Sequence, residues 1–253
     1  MTIRTRPVLA GLAALVSAAA LAPAVAHAFA APTQKLDVAA TLLDQPKGRP
    51  WAVNLTLGAE LGTVDGSVGA PVKNIALKFP HATVNGSAFA TCTAAKLRQS
   101  GPGACPAKSK LGSGTAHVDV RPLLDQKVAA TLTLFNGPGT DSARKLILYA
   151  EAKQFEIQIV MEGTLKKTSG RYGYSLSLPV PPLPTLPGAP PAAIADFSID
   201  VGGRARKNGQ KVSFIEAPTV CPKAGLPFAA TFTYTDGQTG SAASTISCTL
   251  KGT

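Results

Sequence analysis

Apolar and polar residues alternate with a period of two through most of the chain beyond residue 30. In Val72–Phe79 the residues Lys73, Ile75, Leu77 and Phe79 alternate with Val72, Asn74, Ala76 and Lys78, which leaves one face apolar. Phe155, Ile157, Ile159 and Met161 fall on one side of a second run, with Glu156, Gln158 and Glu162 largely on the other. Tyr172, Tyr174, Leu176 and Leu178 repeat the pattern, as do Phe197, Ile199 and Val201 against Ser198 and Asp200. Such spacing marks strands with one buried and one wet face. Further strands are expected over Lys35–Leu43, Trp51–Leu57, Thr115–Val120, Val128–Phe135, Lys145–Ala150, Lys211–Ile215, Phe228–Thr235 and Ser241–Leu250. Many short strands parted by turn signals predict an all-β protein, an antiparallel β-sandwich, with two packed sub-sandwiches as its divided form.

The turns support this. Asn208-Gly209 and Asp236-Gly237 sit between alternating runs, the strongest short-range hairpin signal, and Asn85-Gly86 and Asn136-Gly137 are weaker instances. One helical piece is expected, Thr93–Gln99, capped by Thr91 or Thr93, with Ala94, Ala95 and Leu97 as its apolar side. It is too short to stand alone and needs a sheet to pack on. The segment PVPPLPTLPGAPP, residues 179–191, cannot run through a central strand, because proline removes ladder donors and fixes φ. It reads as a stiff connection within one architecture, its flanking strands as neighbours in one sheet, with a domain linker as the alternative.

The N-terminus adds a compartment. Arg4 and Arg6 precede an apolar run, Val8–Ala22, broken only by Gly11 and Ser17. Ala26-His27-Ala28 follows as a small-x-small cleavage site, with Ala28-Phe29-Ala30 as a second. Residues 1–28 are expected to be a secretory signal peptide. The run falls short of the roughly 20 residues that span a bilayer. The protein is therefore expected to be secreted, extracellular or at the cell surface, as one β-sandwich region over residues 29–253.

Export also sets the cysteine chemistry. Four cysteines in an oxidising compartment favour two disulfides, and three connectivities are possible. Proximity favours Cys92–Cys105 and Cys221–Cys248, each contributing about 3 to 3.5 kcal/mol on a chain-entropy model. A zinc site fails on spacing, since there is no C-x-x-C pair and His81 and His117 stand alone. No cofactor is expected.

With 25 Lys and Arg against 14 Asp and Glu, the formal charge is +11. For an exported protein the matching partners are anionic cell-wall polymer or a membrane surface. Nucleic acid is not expected, because the aromatic interleaving of a single-strand binder is missing. The cations gather in three places: Lys96, Arg98, Lys108 and Lys110; Lys166, Lys167 and Arg171; and Arg204, Arg206, Lys207 and Lys211.

The stretch TCTAAKLRQSGPGACPAKSKLGSGTA is similar to a segment of uncharacterised secreted proteins of actinobacteria. Those show a cysteine, a short helix, then Cys-Pro-x-x-Ser-(Lys/Arg)-(Ile/Leu)-Gly and an alternating strand. The resemblance extends over roughly Phe79 to Cys248, through the proline-rich segment to PTVCPKAGLPFAATFTYTDGQTGSAASTISC. It implies no catalytic residue. Physically, Pro106 stiffens the chain after the bridge, Ser109 can bond a nearby backbone group, and Gly112 and Gly114 let the chain enter the next strand. A phosphate loop does not fit, because Pro102 and Ala107 stand where glycines are required.

Catalytic templates find little. Ser142-Ala143-Arg144-Lys145 matches S-x-x-K, and Lys167-Thr168-Ser169-Gly170 loosely resembles a K-T-G element, but the helical scaffold of such enzymes is missing. Asp119, Asp125, Asp196 and Asp200 offer carboxylates for a glycosidase-like pair, or simply the wet face of strands. The expected function is a secreted, non-catalytic envelope or extracellular protein that binds anionic envelope polymers, with Lys96, Arg98, Lys108 and Lys110 as candidate anion-binding residues. Two alternatives stay open. One is an envelope-polymer hydrolase using paired carboxylates. The other is a carrier of an apolar ligand between β-layers, whose mark would be a deep pocket lined by Phe, Ile and Leu.

Overall fold

The computed structural model describes residues 29–43, 51–121, 124–185, 191–219 and 222–247. The expected signal peptide and the expected Cys221–Cys248 pairing lie outside the described residues.

The first strands in chain order are β1 (Pro32–Leu42), β2 (Trp51–Thr63), β3 (Val72–Phe79), β4 (Thr83–Val84), β5 (Lys110–Asp119), β6 (Lys127–Gly139), β7 (Ala143–Ala152) and β8 (Ile157–Lys167). They are followed by β9 (Tyr174–Pro179), β10 (Ala193–Val201), β11 (Arg204–Lys207), β12 (Gln210–Ser213), β13 (Ile215–Ala217), β14 (Leu226–Tyr234) and β15 (Thr239–Ile246). The α-helix, α1 (Ala94–Ser100), lies between β4 and β5.

All strands but β11 and β12 belong to one 13-stranded antiparallel sheet. Its path from β1 runs through β2, β10, β5, β6, β7, β8, β9, β3 and β14 to β15, while β13 and β4 extend from the start of β2. The sheet rolls until β1 lies alongside β15. There Gln34 Nε2 donates to Tyr234 Oη at 3.2 Å, and Gly240 comes so close that a Cβ would lie 2.0 Å from Gln34 Nε2. The antiparallel all-β class expected from the alternation is what forms, and its opposed layers are walls of one continuous sheet. The accumulated twist of neighbouring strands brings the two edges of so wide a sheet together.

Inward positions are apolar and outward ones polar. On β10, Phe197 and Ile199 point in while Asp196, Ser198 and Asp200 point out. Main-core side chains such as Leu57, Ile75, Leu132 and Phe232 line this interior. Each such side chain contributes about 1.5 to 3 kcal/mol when fully buried.

A satellite core explains apolar residues that break the outward pattern. Phe135, Ile147 and Tyr149 face out from β6 and β7, where Ala94 and Leu97 of α1 cover them. Thr93 caps the helix, its Oγ1 accepting from Lys96 N at 3.2 Å, and Gly101 ends it at φ 67. The Cys92–Cys105 disulfide ties the entry and exit of this loop.

Several local expectations shift. Asn208-Gly209 turns the β11–β12 hairpin with both residues at positive φ, as a tight primed turn requires. Asn85-Gly86 and Asn136-Gly137 are not hairpin turns. Asn85 is buried, donating to Ser213 O at 2.9 Å, and Asn136 is fully buried at an irregularity inside β6. Phe155 falls in a single 3-10 turn before β8 rather than within that strand. The strands flanking the proline-rich segment share the sheet but are not adjacent, since β9 pairs with β3 and β8 while β10 pairs with β2 and β5. That segment starts inside the fold: Val180 and Leu183 are buried, and Ala192 N donates to Leu183 O at 3.1 Å.

Candidate functional site

The rolled sheet encloses a cavity of about 920 Å³. Inward side chains from every strand around the roll except β15's first half contribute to it: Leu55 and Leu57 of β2, Ile75 and Leu77 of β3, Leu146 and Leu148 of β7, Ile159 and Met161 of β8, Leu176 of β9 and Phe228 of β14. Inward residues such as Leu148, Ile159 and Leu176 are only partly buried and border this space. Protein interiors ordinarily leave few voids larger than a water. This volume sits at the upper end of the range of small-molecule sites.

One wall is built from small residues. Ala116 of β5 pairs directly with Ala130 of β6, and Ala150 of β7 lies opposite Leu132. Alanine where a packed core would place leucine widens the space on that side. Polar groups are confined to the margins: His81, Thr185, Thr219 and Ser247. Tyr174 also borders the cavity, but its hydroxyl donates to Asp141 O at 3.2 Å, and burial pushes its pKa up, so it stays neutral. The site is therefore apolar throughout its length, with hydrogen-bonding groups only where it meets solvent.

The cavity reaches both rims of the roll. The β5–β6, β7–β8 and β14–β15 turns and the proline-rich segment form one, here the upper rim; the β6–β7 and β8–β9 turns, residues 80–82 and the β11–β12 hairpin form the lower. At the upper rim the lining residues Leu124 and Phe155 are 40% and 42% exposed, and at the lower rim Leu42 is 42% exposed and His81 also lines the cavity.

The candidate anion-binding residues lie elsewhere. Lys96, Arg98, Lys108 and Lys110 are all exposed on the outer surface, in and after α1, and none lines the cavity. Arg98 is held toward β8, its guanidinium 3.5 Å from Val160 O. The CPxxS segment folds as expected for a stapled loop, with Ser109 Oγ donating to Pro106 O at 2.6 Å.

The carboxylates are engaged singly on the outer face. Asp119 is paired with Arg121 at 2.6 Å, which holds its carboxyl below the usual carboxylate range. Asp196 accepts from His117 at 2.7 Å, and Asp200 from the Thr56 hydroxyl. A shallow outer groove gathers Asp37, Glu60 and Asp196 on adjacent strands, but Lys35 bridges the first two at 2.9 and 3.1 Å. These groups stand side by side on one sheet face. They do not oppose each other across a cleft, as a glycosidase pair must. Of the S-x-x-K match, Ser142 lies in the β6–β7 turn and Lys145 is bound to Glu162 at 3.1 Å. Among the described residues no group of three or more His, Cys, Asp or Glu is placed to hold a metal.

The cavity residues that lie on strands belong to alternating runs visible in the sequence, whereas rim residues such as His81, Leu124, Phe155 and Leu183 come from connections. Sequence reasoning held an apolar pocket between β-layers open as one alternative, but alternation alone does not say that the apolar faces enclose space instead of meeting. The one trace is the excess of alanine at inward positions of β5, β6 and β7. Comparison of the chain with protein-family models, with curated proteins and with solved structures finds no match.

Proposed function

We propose that this protein is a non-catalytic carrier of an apolar ligand with one or more long hydrocarbon chains, working outside the cytoplasm. The cavity is the observation that supports this reading: about 920 Å³, lined along its length by aliphatic and aromatic side chains. With each water-sized group taking about 30 Å³, there is room for roughly 30 of them, the scale of an acyl lipid rather than a metabolite. The polar outer face and apolar interior are the reverse of a lipid-facing barrel, which fits a protein that shields a chain from water. A Cys92–Cys105 disulfide accords with the export expected from residues 1–28.

The test is direct. Protein purified from culture supernatant is extracted with solvent and the extract identified by mass spectrometry. The stripped protein is then titrated with saturated fatty acids of increasing length against a fluorescent chain. Affinity should rise by about 0.8 kcal/mol, roughly fourfold, per added methylene until the cavity is full. No extracted apolar molecule and no affinity at any length would end the carrier reading.

A further inference from the structure

We propose that the lower rim docks on an anionic lipid bilayer, with the cavity mouth at that rim facing the membrane. The carrier reading supplies what passes through this mouth; the docking itself stands on separate observations.

The topology sorts charge by rim. The β8–β9 turn and the end of β8 bring Lys166, Lys167 and Arg171 to the lower rim, and the β11–β12 hairpin adds Arg206, Lys207 and Lys211. Lys108 and Lys110 enter there as well, since the start of β5 pairs with the end of β6. Thus groups that are dispersed in sequence meet at one end. Among the described residues, the carboxylate in the connecting segments of this rim is Asp141, already held by Lys207 at 3.0 Å and by the Ser87 backbone at 2.7 Å. The upper rim is different: its turns and strand ends carry Asp65, Asp119, Asp125, Glu151, Glu156 and Asp236 against Lys73, Arg121, Lys127 and Lys153. The molecule is therefore electrically polarised along the axis of its cavity.

The chemistry of the basic rim fits a bilayer better than a soluble polyanion. Tyr172 stands there half-buried, with Lys78 Nζ and the Arg171 guanidinium each 5.6 Å from its ring centroid. An aromatic ring flanked by cations suits the headgroup layer, where amphipathic rings and basic side chains collect. Leu42, 42% exposed, and His81 border the cavity at the same rim. A polymer would engage the cations and leave the apolar mouth in water. A membrane engages both, and a lipid leaving it enters the cavity without crossing solvent.

The experiment is vesicle flotation of the mature protein, with vesicles of phosphatidylcholine alone and of phosphatidylcholine with an equal part of phosphatidylglycerol. The anionic vesicles should bind and the neutral ones should not, and salt should release the protein as the screening length shortens. Each cation near such a surface is worth about fivefold, so Lys166→Gln, Lys167→Gln and Arg171→Gln together should weaken binding by roughly 100-fold. Arg206→Gln with Lys211→Gln, on a separate hairpin, should cost about 25-fold by the same rule. Lys73→Gln, Lys127→Gln and Lys153→Gln, the same charge change at the upper rim, should leave binding as in the wild type. Equal binding to both vesicles, equal loss in the upper-rim variant, or capture by soluble polyglycerol phosphate without flotation would overturn the proposal, the last in favour of wall polymer. Fatty-acid uptake without vesicles should persist in the lower-rim variants. Docking without uptake removes the carrier reading alone, and uptake without docking removes this inference alone.

Discussion

Replacing Ala130 by phenylalanine separates a cavity from a packed core. Ala130 lies on the inner face of β6, with Ala116 of β5 as its register partner, and its side chain borders the cavity. The new ring should project into that space and occupy the room of about four methylenes. At about 0.8 kcal/mol for each methylene displaced, a chain long enough to fill the cavity should lose ~3 kcal/mol, a weakening of about 150-fold. A chain short enough to leave that room unused should bind as before. The free protein should be as stable as the wild type or slightly more so, because the ring buries apolar area without displacing neighbours. Fatty-acid displacement over a length series measures the first effect, and urea unfolding of the stripped protein the second. If the interior were packed in solution, the ring would instead cost about 1 to 3 kcal/mol of stability through overpacking. That cost, or an undiminished affinity for the longest chains, would refute the reasoning.

Three further outcomes follow from the fold. Cys92→Ser with Cys105→Ser should lower stability by about 3 kcal/mol on the chain-entropy model for a separation of 13 residues, seen as a lower urea midpoint, while leaving ligand affinity unchanged because the loop packs on the outer face. Asn136→Ala should cost about 3 to 5 kcal/mol, since Asn136 Nδ2 donates to Gly86 O, Phe89 O and Ala90 O while its Oδ1 accepts from the buried Arg144 guanidinium; thermal unfolding measures it. Arg121 holds the Asp119 carboxyl below its ordinary range; for Asp141, burial opposes ionisation, but the Ser87 and Lys207 contacts outweigh it and lower its pKa too. Protons therefore bind more readily to the unfolded chain. The stabilisation should be complete above the ordinary carboxylate value of about 4 and fade as pH falls through the lower folded values. Urea midpoints measured from neutral pH downward should show this slope, and Asp119→Asn should flatten it.

Strand existence was legible because period two is a local property. Val72–Phe79 forms β3 with the expected ends, and Thr93 caps the expected helix. Asn208-Gly209 turns a hairpin because positive φ at both positions is written in the residue types. Asn136-Gly137 has the same local chemistry but lies within β6, where Asn136 satisfies three carbonyls from the segment after β4. That is a non-local gain no dipeptide can announce. The Cys92–Cys105 bond was likewise readable from proximity, since a short loop brings its own ends together.

The cavity was not readable in this way, because alternation tells only which side chains point inward. Whether inward faces interdigitate or stand apart depends on how many strands join one sheet and how far it twists before its edges meet. Here β1 reaches β15 only because β3 lies between β9 and β14, both distant from it in sequence, and alanines such as Ala116 and Ala130 hold that wall back. Charge behaves the same way. The sequence determined that the chain is basic and where its cations cluster. Only the strand order decided that Lys108 and Lys110 before and at the start of β5, Lys166, Lys167 and Arg171 at the end of β8, and the β11–β12 hairpin lie at one end of the roll. Local periodicity encodes the face of a strand, whereas enclosed volume and summed charge are properties of the closed sheet.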